Sequence, residues 1–467
     1  MKETPVGTVT RHGLLRTLRN WDVLALSFGA MIGWSWVVLI APLMQRAGTG
    51  GALIATLVAG AAIVLIGAIY AELAAAMPDV GGEHAYSLRA LGRHASFACT
   101  WAIVFAYVSV VAFEAVALPT VLTHLFPFLG NGALWSIGGS EVFADQALLG
   151  AATSVALTWL NIRGVRLSAF AQGLVVAVVL LAGFALFVGL AVSGEAARME
   201  PLFVDGTKGV LAAMALVPFM LVGFDVIPQA AEEIDLPPRR IGLLLVVSIV
   251  MAVAWYLLIE LAVGMLLTDS SRQSVELATV AASGAAWGRA GAILLLVGGV
   301  AGIVTSWNGF LVGGSRAVFA LADSSMLPSW FARLHPETRT PVNALLFIGV
   351  LGALAPFLGR QALIWFVDGG GFGLMIAYLF VCLSFVVLRR REPAMPRPFR
   401  LPGGIGAGVL GVLVSLAITV LYLPGMPAAL VWQEWLLVVA WFAIGPVLYA
   451  KADASRHQEG AGSHPHG

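Results

Sequence analysis

Apolar residues recur along this chain in long runs, and the polar residues gather in short stretches between them. A membrane-crossing helix needs about 20 predominantly apolar residues. Runs of that kind fall at 23–44, 51–75, 97–122, 146–162, 167–192, 209–231, 241–267, 290–315, 342–357, 361–388, 404–423 and 434–450, which predicts twelve spans. Two of them break their own helix-forming pattern at mid-depth. The first carries Gly29 and Gly33 within Ser27-Phe28-Gly29-Ala30-Met31-Ile32-Gly33-Trp34-Ser35. The sixth carries Pro218, Gly223, Asp225 and Pro228 within eleven residues. Breaks five spans apart are the pattern of two five-helix repeats of inverted topology. A broken helix in hydrocarbon exposes backbone N–H and C=O groups that only protein or a polar cavity can satisfy. Its free ends then offer amides to a carboxylate and carbonyls to an ammonium or a cation. Taken alone, Gly29 and Gly33 read as a helix-packing face; the matched break in the sixth span favours a binding site.

Composition agrees with a membrane protein: 60 % of the 467 residues are hydrophobic, 11 % are charged, and the mean hydropathy is +0.93. Soluble domains are about 45–50 % apolar and about 25 % charged. With 26 basic against 25 acidic residues the chain is no nucleic-acid binder. Cys99 and Cys382 form neither a disulfide framework nor a zinc cluster, and no metal or cofactor is expected. Placing the N-terminus inside puts 20 of the 26 lysines and arginines in cytoplasmic segments and only Arg46, Arg198, Lys208, Arg272, Arg289 and Arg360 outside. Both termini are therefore expected in the cytoplasm, with the protein in a plasma membrane, as in a bacterial inner membrane. The division is a cytoplasmic segment 1–20, a first repeat 21–194, a second repeat 195–391, two further spans with a basic loop at 392–451, and a disordered tail 452–467. His457, His464 and His466 read as part of that solvated tail. Residues 1–20 are no signal peptide, because a full-length span follows Arg11, Arg16 and Arg19.

Four acids fall away from the inner end of span two and the start of the last span, inside the spans proper: Glu114, Asp225, Glu260 and Asp368. A carboxylate at the bilayer centre costs at least about 2.5–3.5 kcal/mol, and no lysine or arginine lies mid-span to pair with them. Each must face a wet cavity, be protonated, or hold a cation. Asp225 sits in the broken segment itself. Burial there favours the neutral acid and a substrate ammonium favours the carboxylate, so Asp225 either couples transport to protons or selects the substrate's charge. Glu114 is the next candidate for coupling. Glu114 and Asp368 read equally well as neutral acids hydrogen-bonded between helices. Glu260 reads as reaching the outer interface, and Glu72 as lying at the inner one.

Five motifs in order resemble the amino acid–polyamine–organocation superfamily of permeases. They are Gly29-Ala30-Met31-Ile32-Gly33; Tyr70-Ala71-Glu72-Leu73 with Met77-Pro78, Gly81-Gly82-Glu83-His84-Ala85-Tyr86 and Arg89-Ala90-Leu91-Gly92; Gly223-Phe224-Asp225 with Ala231-Glu232-Glu233 and Pro237; Ser315-Arg316 with Ala320, Ala322-Asp323 and Leu327-Pro328; and Leu388-Arg389-Arg390 with Pro393 and Arg397-Pro398-Phe399. The third resembles the cationic-amino-acid-transporter branch and its bacterial relatives. The resemblance implies an all-α membrane protein of LeuT-type fold, a five-plus-five inverted repeat followed by two helices. It implies import of an amino acid or related amine by alternating access, coupled to a proton or a sodium ion. By position, Gly33, Trp34 and Ser35 would meet the substrate carboxylate, and the carbonyls of Met31, Phe219 and Val222 its ammonium. Phe219 or Phe224, beside Gly223, would close over the bound molecule. Trp34 and Ser35 depart from the small residue and glycine usual there, and Trp34 would narrow the pocket or stack on substrate. The fifth span lacks the lysine of some proton-coupled members and has Val179 near that position, which excludes coupling through such a lysine. Thr305 and Ser306 are the candidate sodium ligands.

The competing classes fare worse. There is no nucleophile–base pair for an intramembrane enzyme, and the glycine run 403–408 begins a span and lacks a preceding strand, so it is no nucleotide fingerprint. A channel would repeat a pore element. A polyamine or amine permease, an amino acid exchanger, or a sensor on the same fold remain as alternatives. The oligomeric state is left open.

Overall fold

The structure, a computed structural model, describes residues 8–126, 128–275 and 277–461. The first predicted span is α1 (Asn20–Met31), an irregular stretch, and the short α2 (Ser35–Val38). Next comes α3 (Ile40–Ala76), bent at Gly48, whose φ of 78° turns the chain so that its second limb covers the run predicted at 51–75. The half is completed by α4 (Glu83–Leu91), α5 (Arg93–Leu125), α6 (Ala144–Ile162) and α7 (Val165–Ser193). Of these, α4 lies between the spans predicted at 51–75 and 97–122, where no span is expected.

The second half opens with three short pieces, α8 (Gly206–Met214), α9 (Val217–Met220) and α10 (Val226–Gln229), in place of one sixth helix. It continues with α11 (Pro238–Leu266), α12 (Asp269–Ser274), α13 (Ala278–Asp323), α14 (Val342–Leu354) and α15 (Ala362–Arg391). Gly288, at φ 64°, divides α13 as Gly48 divides α3, and its second limb contains the run predicted at 290–315. The chain ends with α16 (Gly404–Leu421) and α17 (Trp432–Ala461). Thus helix continues past residue 451, where the reading placed a disordered tail; alanine, glutamate and glutamine there are good helix formers. The side chain of His457 and all of His464 and His466 lie outside the described part. Among the described residues nine helices are long and apolar enough to cross a membrane, and Gly206–Met220 and Val342–Leu358 are shorter apolar stretches.

α5 is buried almost throughout, whereas α16 and α17 turn most of their apolar residues outward, among them Leu410, Leu413, Leu436 and Val439. An apolar outer surface fits a hydrocarbon solvent, in which apolar side chains need no cover. α1 packs among α7, α10, α11 and α13, at the centre of the bundle.

The sequence motifs meet one another at one end of this bundle. Glu72, at the end of α3, accepts from Arg389 (Nε, 2.7 Å) and the Leu401 amide (2.7 Å), with Arg397 Nε at 3.0 Å. It is 1 % exposed, so it lies in a buried ion cluster and not at an interface as expected; two guanidinium groups replace its water. Arg316 forms a fork on Glu233 at 2.7 and 3.1 Å, also buried. Arg89 does the same to Glu392 at the surface. Losing one partner of a buried pair costs about 3–5 kcal/mol, because the other charge is left without compensation. The N-terminal segment joins this end: Thr17 and Leu18 donate to the Glu233 carbonyl at 2.8 and 2.9 Å, and His12 bonds Glu232. These motifs therefore hold helix ends together, and only two of the five contribute to the centre described next.

Candidate functional site

The two breaks meet. Gly223 has φ 130°, and a β-carbon there would lie 2.8 Å from the Ala30 carbonyl carbon and the Met31 amide nitrogen. Only glycine supports both that backbone angle and that approach. The chain turns at Gly223 because the Asp225 carboxylate accepts from the Gly223 amide (3.1 Å), while Tyr378 of α15 donates to its other oxygen (3.1 Å). In the first span the break is at Ile32–Trp34, one turn beyond Gly29. Gly302 of α13 lets the Ile32 and Gly33 carbonyls approach: a β-carbon there would be 2.8 and 2.7 Å from them.

Much of what the sequence assigned to substrate is taken up by the protein itself. The Trp34 amide donates to Glu114 Oε1 of α5 (3.3 Å), so a carboxylate does stand at the broken end, and it is the chain's own. The other oxygen of Glu114 has no hydrogen-bond partner among the described residues. Glu114 Oε1 and Ser306 Oγ both crowd Gly33, within 2.2 and 2.7 Å of where a β-carbon would be. Tyr256 of α11 donates to the Met31 carbonyl (2.9 Å) and accepts from the Ser35 hydroxyl (2.6 Å). Trp34 is 1 % exposed, its ring filling the space left by Gly299, so it narrows the centre. Phe224 packs on Tyr70 and Tyr378 (centroids 5.4 Å from each), away from the first break. Phe219 instead meets Phe113 edge to face at 5.7 Å. Phe113 lines a cavity of about 440 Å³ that Arg46, Arg360 and Asp368 share. Of the two proposed closing rings, Phe219 is the one next to an opening. Val222 is buried between the breaks, and no partner is seen for its carbonyl among the described residues.

The candidate sodium ligands are engaged as well. Thr305 Oγ1 lies 3.1 Å from the Gly29 carbonyl and 2.9 Å from that of Gly302. Beside it is Gln172 of α7, whose Nε2 donates to two other carbonyls, Thr305 O (2.9 Å) and Ala25 O (3.3 Å). Its Oε1 accepts from Asn308, and Asn161 in turn donates to Asn308 Oδ1. A neutral amide nitrogen thus lies where the carbonyls of Ala25 and Thr305 converge. Val179 is a core residue. Sequence reasoning missed Gln172; the available signal was a lone carboxamide in an otherwise apolar span.

Asp368 lines the cavity it shares with Arg46 and Arg360. Glu260 does not reach an interface: it is fully buried between α3 and α11 and accepts from Thr56 at 2.5 Å, a hydroxyl doing the work of water.

Over residues 18–447 the chain matches the family described as amino acid permease. The chain belongs to that family. The permease is 28 % identical over 449 residues to the methylthioribose transporter of Bacillus subtilis (strain 168), with 93 % of each chain covered. It is 26 % identical over 454 residues to the branched-chain amino acid permease BcaP of the same organism, covering 95 % of this chain and 94 % of that one. With the vacuolar cationic amino acid transporter 4 of Arabidopsis thaliana it shares 28 % identity over 396 residues, 82 % of this chain and 64 % of that protein. The permease is accordingly a multi-pass membrane transporter and not an enzyme.

Proposed function

We propose that this permease imports an α-amino acid together with a proton and without sodium. In this reading it crosses the plasma membrane twelve times as a LeuT-type five-plus-five repeat, spans 1–5 within 21–194 and spans 6–10 within 195–391, with two further helices and both termini in the cytoplasm. The observation that carries the reading is the meeting of the two broken spans at Gly223 and Ala30–Met31, with one acid on each side of it, Glu114 and Asp225. The substrate carboxylate takes the Trp34 amide that here donates to Glu114. Two carboxylates cannot share that amide, so Glu114 gives it up when substrate is seated; the coupling acid is Asp225, whose carboxylate holds the turn of the sixth span and whose protonation is linked to binding of the substrate ammonium. The ammonium lies toward the Val222 carbonyl, and Phe219 closes over it. Gln172 supports the absence of sodium, since its amide already satisfies the carbonyls of Ala25 and Thr305.

A second reading has its own support. Glu114 already supplies a carboxylate to the broken end, which suits a substrate that lacks one, and one relative is named for methylthioribose. Competition in proteoliposomes separates the two. Decarboxylated analogues are expected to compete at least about tenfold less well than leucine or lysine, the loss of one charge-assisted hydrogen bond. Equal competition would overturn the carboxylate reading and leave an amine or neutral solute as cargo.

A further inference from the structure

Below Asp225 lies a second buried carboxyl, which transport of the kind proposed above leaves without a task. Glu83 begins α4 and is fully buried. The Gln229 carboxamide donates to its Oε2, and Gln229 is one helical turn beyond Asp225, its amide 3.4 Å from the Asp225 carbonyl. Among the described residues no lysine, arginine or histidine bonds Glu83. Its Oε1 has no hydrogen-bond partner among the described residues, and neither have Gln229 Oε1 or the hydroxyls of Tyr70, Tyr86 and Tyr107. Each such atom costs about 1–3 kcal/mol if left dry, and the five form one polar cluster, with Tyr70 against Glu83 and Tyr107 against Gln229 and Asp225.

The cluster has two ends. At one, Tyr378 donates to Asp225, and the Tyr70 ring stands between Tyr378 (5.6 Å) and Tyr86 (6.4 Å). At the other, His84, the residue after Glu83, lines a surface cavity of about 270 Å³ with His12, Asp79 and Asp323. Burial first, and the charge of Asp225 second, push the Glu83 carboxyl well above the usual carboxylate range. The other titratable groups facing it are the hydroxyls of Tyr70 and Tyr86 and the Cys99 thiol, with Tyr107 and Tyr378 beyond. Burial, then Arg93, pushes His84 down to about 4, so His84 stays neutral at physiological pH and does not hold a proton.

We propose that Glu83 is a second proton carrier in the transport cycle, receiving the proton that the Asp225 carboxyl releases and giving it up to the cytoplasmic solution. One O–H bond breaks at Asp225 and one forms at Glu83, with the tyrosine hydroxyls between them; the second transfer, beside His84, restores the Glu83 carboxylate. The proposal rests on Asp225 as the coupling acid, and its test separates the two.

The first measurement needs no substrate. Infrared absorption of protonated carboxyls is followed against pH in the purified permease, in Asp225→Asn and in Glu83→Gln. The carboxyl step that Glu83→Gln removes is expected to move to lower pH in Asp225→Asn by about one unit or more, the mark of interacting sites. An unmoved step overturns the proposal. The second measurement uses proteoliposomes with radiolabelled leucine and lysine. Glu83→Gln is expected to lower pH-gradient-driven accumulation about tenfold or more, the effect of losing a proton-transfer group, with a smaller loss of counterflow and recovery in Glu83→Asp. If Asp225→Asn loses pH-driven accumulation and Glu83→Gln keeps it, Glu83 is no carrier. If Asp225→Asn also keeps it, the coupling reading itself fails.

Discussion

Asp225→Asn abolishes accumulation driven by a proton gradient and leaves counterflow exchange in place. The carboxylate holds the turn of the sixth span through the Gly223 amide and is met by the Tyr378 hydroxyl. An asparagine keeps the acceptor for Gly223, so the turn survives, but it cannot change charge. The energy of the loaded site then no longer depends on a proton. Coupling between two ligands is worth about 1–3 kcal/mol, or about 5–150-fold, and the accumulation ratio is expected to fall by that factor, toward equilibration. Uptake against external pH, with counterflow at matched expression, reads this directly. If the variant instead loses lysine and keeps leucine, Asp225 is a selectivity residue. If it keeps every substrate and the wild-type pH dependence, Asp225 has neither role and Glu114 takes its place.

Gly33→Val removes transport while the protein still folds and inserts. The new β-carbon meets Glu114 Oε1 at 2.2 Å and Ser306 Oγ at 2.7 Å, so α5 or α13 must move away from the break. Displacing Glu114 by about 1 Å takes it off the Trp34 amide, and misplacement of that size costs about 100-fold in well-positioned sites. Size-exclusion behaviour in detergent checks the fold, and uptake of labelled leucine and lysine checks the function. Wild-type uptake at equal expression would return Gly33 to ordinary helix packing. Gly29 is already there: it lies inside α1, against Gln172, Val176 and Thr305.

The helices were legible because hydrocarbon imposes length and apolarity on every span, and those are local properties of sequence. The breaks were legible for a similar reason, since glycine, proline and a carboxylate are conspicuous in an apolar run. Partners were not legible. That Glu72 lies buried between Arg389 and Arg397 depends on contacts more than 300 positions apart. Position in the first break pointed to free backbone amides, but not to Glu114, 80 residues later, which accepts from one of them. Likewise the absence of a lysine from α7 was plain, whereas the partners of Gln172 needed the third dimension. The resemblance pointed to Val179, which is packed in the core.

The central claim, a proton-driven and sodium-independent importer of amino acids, meets its most direct test in proteoliposomes of the wild-type permease held in sodium-free choline buffer. With an inward-directed proton gradient, labelled leucine or lysine should accumulate above equilibrium, collapse on adding a protonophore, and show no gain when sodium replaces choline. Accumulation that needs sodium, or that ignores the proton gradient, would contradict it.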